Sequence, residues 1–499
     1  MVKTSAIEAF LKPFLSQAQL RLDSRTVEPG DVFIARKGLT GDGRLFLGMA
    51  QSRGAAGFII EGDEQQFAPN TPLSLPTLFV PDLSQQLSHI ASYFYGYPAE
   101  RMRLYGVTGT NGKTSVTYYI AALHAAVLKE PCAVMGTLGY GLPDTLKSFW
   151  LTTPDVVNLQ RYFRELLDQN MPALAMEVSS HGLDQGRIQG CRFESTIFTN
   201  LTQDHLDYHG DLEQYWMAKQ RLFTEYESIT RVLNWDDPRG QLLALRLREL
   251  KGHAPIVVYG LSDSMNTVAK QYPDLQVLYL DQIQRDLETT RAYCHSAWGE
   301  GWIETSLLGD FNLSNLLAAL GALGSRGVNF KALLANVGVC QAVPGRMRRF
   351  GGIKQGQPLV VVDYAHTPDA LDKILAALKP YCQGRLICVF GCGGERDRVK
   401  RPLMLQAVLT RADEVWVTQD NSRGESPDQI VADILTGNSE GRPLRLEMDR
   451  EVAIKKAIQS ATPKDVVLIA GKGHETVQII GLQKRSFSDE AVVEAVLES

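Results

Sequence analysis

The chain has 499 residues, 44% of them apolar and 21% charged, proportions close to those of folded globular chains, which excludes a disordered, collagen-like or coiled-coil protein. At roughly 150 residues per domain, the length predicts about three domains. The formal net charge is −5, so no general basic field exists to hold nucleic acid through its phosphates, and any anionic ligand must be met by local positive groups.

The first stretch, MVKTSAIEAFLKPFLSQAQLRL, reads as a short amphipathic helix that carries charges and lacks the apolar core and small-residue cleavage site of a secretory leader. Short apolar runs follow at 31–35 (DVFIA) and 55–60 (AAGFII), with the turn-rich GLTGDGR at 38–44 between them. A small α/β domain ending near the Tyr97-Pro98 turn signal is expected. From residue 101 the texture changes. RLYGVTG reads as a strand entering a glycine-rich turn, KTSVTYYIAALHAAVL has helical apolar spacing, and PALAMEVSS and ESTIFTN read as further strands. Strands alternating with helices predict a parallel sheet with ligands at the strand carboxyl ends. After 343–350, four more strand-like runs end in polar or glycine residues: PLVVVDYAH, GRLICVFGCGG, ADEVWVTQD and KDVVLIAGKGHE. They predict a second doubly wound, Rossmann-like unit. No run approaches the ~18 apolar residues of a spanning helix. The seven cysteines are scattered and lack paired zinc-finger spacing, so reduced, buried thiols and a cytoplasmic protein are expected.

Gly109-Thr110-Asn111-Gly112-Lys113-Thr114-Ser115 sits between a predicted strand and a predicted helix, the context of a phosphate-binding loop. Glycines let backbone N–H groups approach phosphate oxygens, the helix N-terminus adds positive potential, Lys113 reaches the outer phosphates and Thr114 can hold Mg²⁺. The strict G-x-x-x-x-G-K-[ST] pattern is missed because Val107 stands where its first glycine belongs. A plain strand–helix turn containing a lysine is the alternative. Kinases, NTPases and ATP-dependent ligases all use such a cradle, so the loop alone selects no reaction.

The loop is followed by LTTP at 151–154, EVSSHGL at 177–183, TNLTQDHLDYHG at 199–210, GDFNLSN at 309–315, PGRM at 344–347 and DYAHTP at 363–368. With LDSR at 22–25 and GKGHE at 471–475, this order and spacing resembles the Mur ligases of peptidoglycan synthesis over nearly the whole chain. The resemblance implies three α/β domains: a small N-terminal UDP-sugar-binding domain (1–98), a central P-loop-type parallel-sheet ATPase domain (99–341) and a C-terminal Rossmann-like amino-acid-binding domain (342–499). It also implies amide formation through an acyl phosphate, with ATP and Mg²⁺, in a cleft closed against water.

The same resemblance assigns roles by residue. Glu177 and His205 become Mg²⁺ ligands beside Thr114, and Lys219 becomes a lysine carbamylated by CO₂; by residue type alone, a solvated strand-end Glu, a turn-capping His and an exposed helical Lys are the alternatives. Leu22, Ser24, Thr152, Thr153, Ser179, Gln185 and Arg187 would meet the UDP-N-acetylmuramoyl dipeptide, although Ser24 and Thr152 also suit helix caps. Asn312, Asn315, Arg346, Tyr364 and His366 would meet ATP, with capping a rival role for Asn312. Arg396, Asp420, Asn421, Ser422, Arg423, Gly471 and Glu475 would select the amino acid. The segment Asp420-Asn421-Ser422-Arg423 resembles the DNPR signature of diaminopimelate-adding members, with Ser422 in place of proline. A distal carboxylate calls for a guanidinium, which Arg423 and Arg396 supply, and Glu475 suits the distal ammonium; a surface salt bridge is the alternative for Arg423. The implied activity joins meso-diaminopimelate to the D-glutamyl γ-carboxylate of UDP-N-acetylmuramoyl-L-alanyl-D-glutamate, by a monomer without nucleic-acid or membrane partners. A lysine-adding or folylpolyglutamate synthase-like ligase is the nearest alternative, and a P-loop kinase or NTPase the alternative from another class.

Overall fold

The computed structural model describes residues 3–38, 41–66, 74–149, 151–250, 254–285 and 289–498; positions 39 and 40 of the expected 38–44 turn lie outside them. The chain divides into two compact units, one built mainly from residues 1–259 and the other mainly from 277–317 and 330–499.

The first unit contains two sheets. Strands Leu20–Arg21, Val32–Ala35, Gly57–Glu61 and Thr77–Val80 pair in that order, all parallel. The N-terminal helix covers only Thr4–Leu11 and passes into a 3₁₀ turn at Lys12–Phe14. It is shorter than expected because Pro13 lacks the N–H that an inner helical turn needs. Ile7 and Leu11 join Leu20, Val32, Ile34 and Ile59 in a core. The second sheet runs Ile256–Gly260, Ser228–Asn234, Phe193–Phe198, Arg103–Thr108, Ala173–Glu177, Cys132–Gly136 and Gly139–Gly141. Its members pair in parallel except the last, an antiparallel edge. The chain leaves Arg103–Thr108, builds Cys132–Gly136 and Ala173–Glu177 on one side, then crosses to Phe193–Phe198 on the other. The loop after Thr108 therefore opens at the reversal of strand order, where doubly wound sheets bind ligands.

In the second unit Arg348–Gly351, Leu359–Asp363, Val466–Ala470, Leu386–Phe390, Glu414–Val417 and Arg445–Leu446 form a six-stranded sheet, antiparallel only at its first pair. Alternate residues feed two cores. Leu359, Val361, Cys388, Phe390 and Leu468 face one, and Val360, Val362, Ile387, Val389, Val467 and Ile469 the other. Both faces are covered, which explains runs as continuous as LVVV and VVLI. A three-stranded antiparallel meander, Gln276–Arg285, Thr290–Ser296 and Gly299–Thr305, precedes this sheet in the chain.

Candidate active site

The loop after Arg103–Thr108 is shorter than the strict phosphate-loop pattern because Val107 still belongs to the sheet. It is fully buried and registers with Glu177 on one side and Ile197 on the other. That register brings the Glu177 strand end beside the loop. Gly109 has φ +148°, and a Cβ there would stand 1.9 Å from Thr199 Oγ1; only glycine fits. Gly112, at φ 86°, starts the helix Lys113–Leu128. The loop is held from the neighbouring strand: Thr110 N–H donates to Asn200 O (2.8 Å), Asn111 N–H to Asn200 Oδ1 (3.0 Å) and Thr199 Oγ1 to Asn111 O (2.6 Å). Lys113 Nζ donates to the carbonyls of Gly109 and Thr110 at 2.8 and 2.9 Å. Ser115 is buried on the first turn of the helix.

Glu177 is 2% exposed, so the solvated strand-end reading fails. Its Oε1 accepts from Thr114 Oγ1 (2.9 Å) and from the Thr137 N–H (3.0 Å), and its Oε2 from Thr137 Oγ1 (3.2 Å). Thr137 was missed by sequence reasoning. The preceding Gly136 leaves room for the carboxylate: a Cβ there would lie 2.2 Å from Glu177 Oε1.

Lys219 is likewise no solvated charge. It lies on Leu212–Thr224, is 1% exposed, donates to Gly109 O at 2.9 Å and sits 4.4 Å from the Tyr215 ring centroid. Burial first, then the charge of Lys113, hold its amine well below the usual lysine range, while Asp204 pulls weakly the other way. His205, in left-handed backbone (φ 54°) at the start of the turn Leu206–His209, also has its pKa lowered. Burial is the main cause, Asp204 opposes it, and Lys113 and Lys219 add to it. The His205 and His181 rings stand 5.0 Å apart. Burial, then His205 and His209, push His181 down to about 4.

Five of the expected UDP-sugar residues gather around the Glu177 strand end. Thr153 is fully buried; its hydroxyl donates to Glu177 O (2.9 Å) and accepts from the Ser179 N–H (3.0 Å). Ser179 caps the helix Ser180–Asp184 by accepting from Gly182 N–H. Arg187 donates to Thr153 O (2.7 Å) and, through Nε and Nη2, to Gln185 Oε1. Burial is the largest influence on this guanidinium and lowers its pKa. Thr152 Oγ1 lies 3.4 Å from Thr137 Oγ1. Leu22 and Ser24 instead follow the strand Leu20–Arg21, Leu22 packed against the core of the first sheet and Ser24, at the start of a 3₁₀ turn, with its hydroxyl on Met49 Sδ (3.3 Å).

The second unit gathers its own set at the carboxyl ends of Leu386–Phe390, Glu414–Val417 and Val466–Ala470. A Cβ on Gly393 would lie 3.0 Å from Arg423 Nη1 and 3.9 Å from Arg396 Cγ, and one on Gly471 would lie 2.7 Å from Asp420 Oδ2. Arg423, in left-handed backbone at φ 50°, donates to Gly394 O (2.8 Å) rather than to a surface carboxylate. Asn421 Nδ2 donates to Glu475 Oε2 (2.8 Å). The Ser422 hydroxyl is buried without a hydrogen-bond partner among the described residues. Arg346 lies over the Tyr364 ring at 4.9 Å, and His366 lies 4.7 Å from the same ring. Asn312 and Asn315 are buried on Asp310–Gly324; Asn312 lies inside the helix and donates to Leu308 O (2.9 Å), so it is not the cap.

Three family models match in sequence: "Mur ligase family, catalytic domain" at 18–95, "Mur ligase middle domain" at 107–323 and "Mur ligase, glutamate ligase domain" at 345–473. The UDP-N-acetylmuramoyl-L-alanyl-D-glutamate--2,6-diaminopimelate ligase of Ectopseudomonas mendocina (strain ymp) is 45% identical over 471 residues, 94% of this chain and 93% of that protein. The chain belongs to the Mur ligase family. A solved structure of a UDP-N-acetylmuramoyl-L-alanyl-D-glutamate--2,6-diaminopimelate ligase superposes with TM-score 0.68 at 36% identity, covering 96% of this Mur ligase and 94% of that chain. Mycobacterium tuberculosis folylpolyglutamate synthase, at 18% identity and TM-score 0.61 over 78% of this chain and 92% of its own, shares the fold. The three-domain α/β architecture of the Mur ligases is thus present here. It accounts for the phosphate loop, the Glu177 strand end and the Lys219 helix in one unit, and for the Arg423–Glu475 set in the other. Among the described residues no three His, Cys, Asp or Glu side chains form a metal-holding group.

Proposed function

We propose that this Mur ligase joins meso-diaminopimelate to the D-glutamyl γ-carboxylate of UDP-N-acetylmuramoyl-L-alanyl-D-glutamate, with ATP as co-substrate. The observation that carries the amino-acid assignment is the approach of the Arg423 guanidinium and the Arg396 side-chain stem to Gly393, with Asn421 and Glu475 hydrogen-bonded to each other across the neighbouring loops. A distal carboxylate needs the first pair and a distal ammonium the second; lysine would leave an arginine without its anion.

A carboxylate is a poor electrophile. Its oxygen attacks the terminal phosphorus of ATP, ADP leaves, and the amine then attacks the acyl phosphate carbon and expels phosphate. Loop N–H groups and Lys113 orient and neutralise the phosphates. The buried Thr153 and the half-buried Arg187 and Ser179 hold the acid near Glu177. Glu177, Thr114, His205 and a carbamate on Lys219 are the donors that would hold Mg²⁺: the carboxylate, hydroxyl and carbamate oxygens suit a hard divalent ion, and burial lowers the pKa of the His205 imidazole. When bound, Mg²⁺ neutralises phosphate charge during transfer. Lys219 fits the carbamate role because CO₂ adds only to a neutral amine, and burial lowers the pKa of this one well below the usual lysine range. No helix among the described residues is long and apolar enough to cross a membrane, and a monomer in the cytoplasm is the proposed setting.

The test is incubation with the UDP-sugar dipeptide, ATP, Mg²⁺ and competing amino acids, with the product weighed. Incorporation of meso-diaminopimelate over L-lysine is expected; equal or better incorporation of L-lysine overturns the assignment. A kinase would transfer phosphate without needing an amine.

A further inference from the structure

Lys472 lies between the strand Val466–Ala470 and the hairpin Val477–Ile480/Gln483–Ser486, and no part of it is exposed. Its ammonium has three hydrogens and three acceptors: Glu475 Oε2 at 2.8 Å, Asn421 Oδ1 at 3.1 Å and Val477 O at 2.8 Å. Asp420 Oδ1 is 3.9 Å away. A buried ammonium with every donor used is a fixed charge rather than a mobile one. Two of its three acceptors are side chains of the amino-acid cluster, and they come from different loops.

We infer that Lys472 is a positioning residue for amino-acid selection: it ties Glu475 Oε2 and Asn421 inward and so presents Glu475 Oε1 to the distal ammonium of the incoming diamine. The inference rests on the amino-acid assignment proposed above. Glu475 Oε2 accepts from both Lys472 and Asn421, whereas Oε1 has no partner among the described residues and the side chain is 30% exposed. Without Lys472, the Asp420 and Glu475 carboxylates would repel each other and Glu475 could rotate away from Asn421.

The test uses the full chain and steady-state phosphate release, with each substrate varied in turn. Lys472→Met is expected to raise the KM for meso-diaminopimelate on the order of tenfold or more, with the KM values for ATP and the UDP-sugar dipeptide within about twofold of wild type. Glu475→Gln should act similarly, and the double variant should be no worse than the weaker single, since both remove one interaction. If Lys472→Met fails to fold because it strands a buried carboxylate, the double variant removes both charges, and its KM for meso-diaminopimelate should equal that of Glu475→Gln. An unchanged KM for meso-diaminopimelate, equal rises for all three substrates, or a double variant worse than Glu475→Gln overturns the role of Lys472. A wild-type chain that fails to incorporate meso-diaminopimelate overturns the amino-acid assignment instead.

Discussion

The state of the Lys219 amine can be read from how CO₂ uptake responds to pH. An exposed lysine, with the ordinary value of 10.5, is neutral in only about one molecule in three thousand near pH 7. Lys219 is 1% exposed, and burial and Lys113 lower its value well below that range. At fixed bicarbonate, a neutral amine condenses with HCO₃⁻ to give carbamate and water without gaining or losing a proton, so occupancy is flat with pH. A cationic amine must release a proton as well, so occupancy rises about tenfold per pH unit, or about a hundredfold between about pH 7 and about pH 9. Labelling with ¹³C-bicarbonate and counting carbamate by NMR distinguishes the two. One carbamate per chain, flat across that range and absent from Lys219→Ala, is expected. A tenfold rise per unit would show that the amine is charged, and label persisting in Lys219→Ala would place the carbamate elsewhere. The same variant should lose ligase activity and regain part of it with small carboxylic acids; full activity would remove Lys219 from the mechanism.

Three further outcomes follow from the packing. Gly136→Ala would place a Cβ 2.2 Å from Glu177 Oε1 and push the carboxylate off Thr137; kcat should fall on the order of a hundredfold with the fold retained by circular dichroism, and activity within about threefold of wild type would refute the placement of Glu177. Ser422→Ala removes a buried hydroxyl that has no hydrogen-bond partner among the described residues, so urea titration should show stability unchanged or raised by up to about 1 kcal/mol; a clear loss would mean that the hydroxyl is bonded. Arg450 and Asp489 are both fully buried and joined at 2.7 Å, so Arg450→Met should cost about 3–5 kcal/mol, while Arg450→Met with Asp489→Leu should recover much of the loss; additive losses in the double variant would contradict that coupling.

The strands and the phosphate loop were legible because local pattern determines them. KTSVTYYIAALHAAVL forms the helix Lys113–Leu128, and LVVV and VVLI lie in strands buried on both faces. The N-terminal helix ends sooner than its amphipathic pattern suggests because Pro13 cannot supply an inner-turn N–H. What the pattern could not give were the environments of polar residues, which depend on segments distant in the chain. Thr137 meets Glu177 across 40 positions, and Lys472 meets Asn421 across 51; no window of sequence contains either pair.

Lys219 is an instructive middle case, since a local signal did exist. Tyr215, Trp216, Ala218, Leu222 and Phe223 are the other buried residues of its helix, and Lys219 falls four after Tyr215 and three before Leu222, squarely on their stripe. A lysine on an apolar stripe either breaks the core or has its charge removed. Here there is no carboxylate hydrogen-bonded to its amine among the described residues, only the Gly109 carbonyl and the Tyr215 ring, and burial shifts the amine toward its uncharged form. That is the form carbamylation needs. The burial that makes Lys219 look like a core residue is therefore also what would fit it for the proposed carbamate, and its place on the apolar stripe of the helix marks it in the sequence as a lysine in an unusual environment.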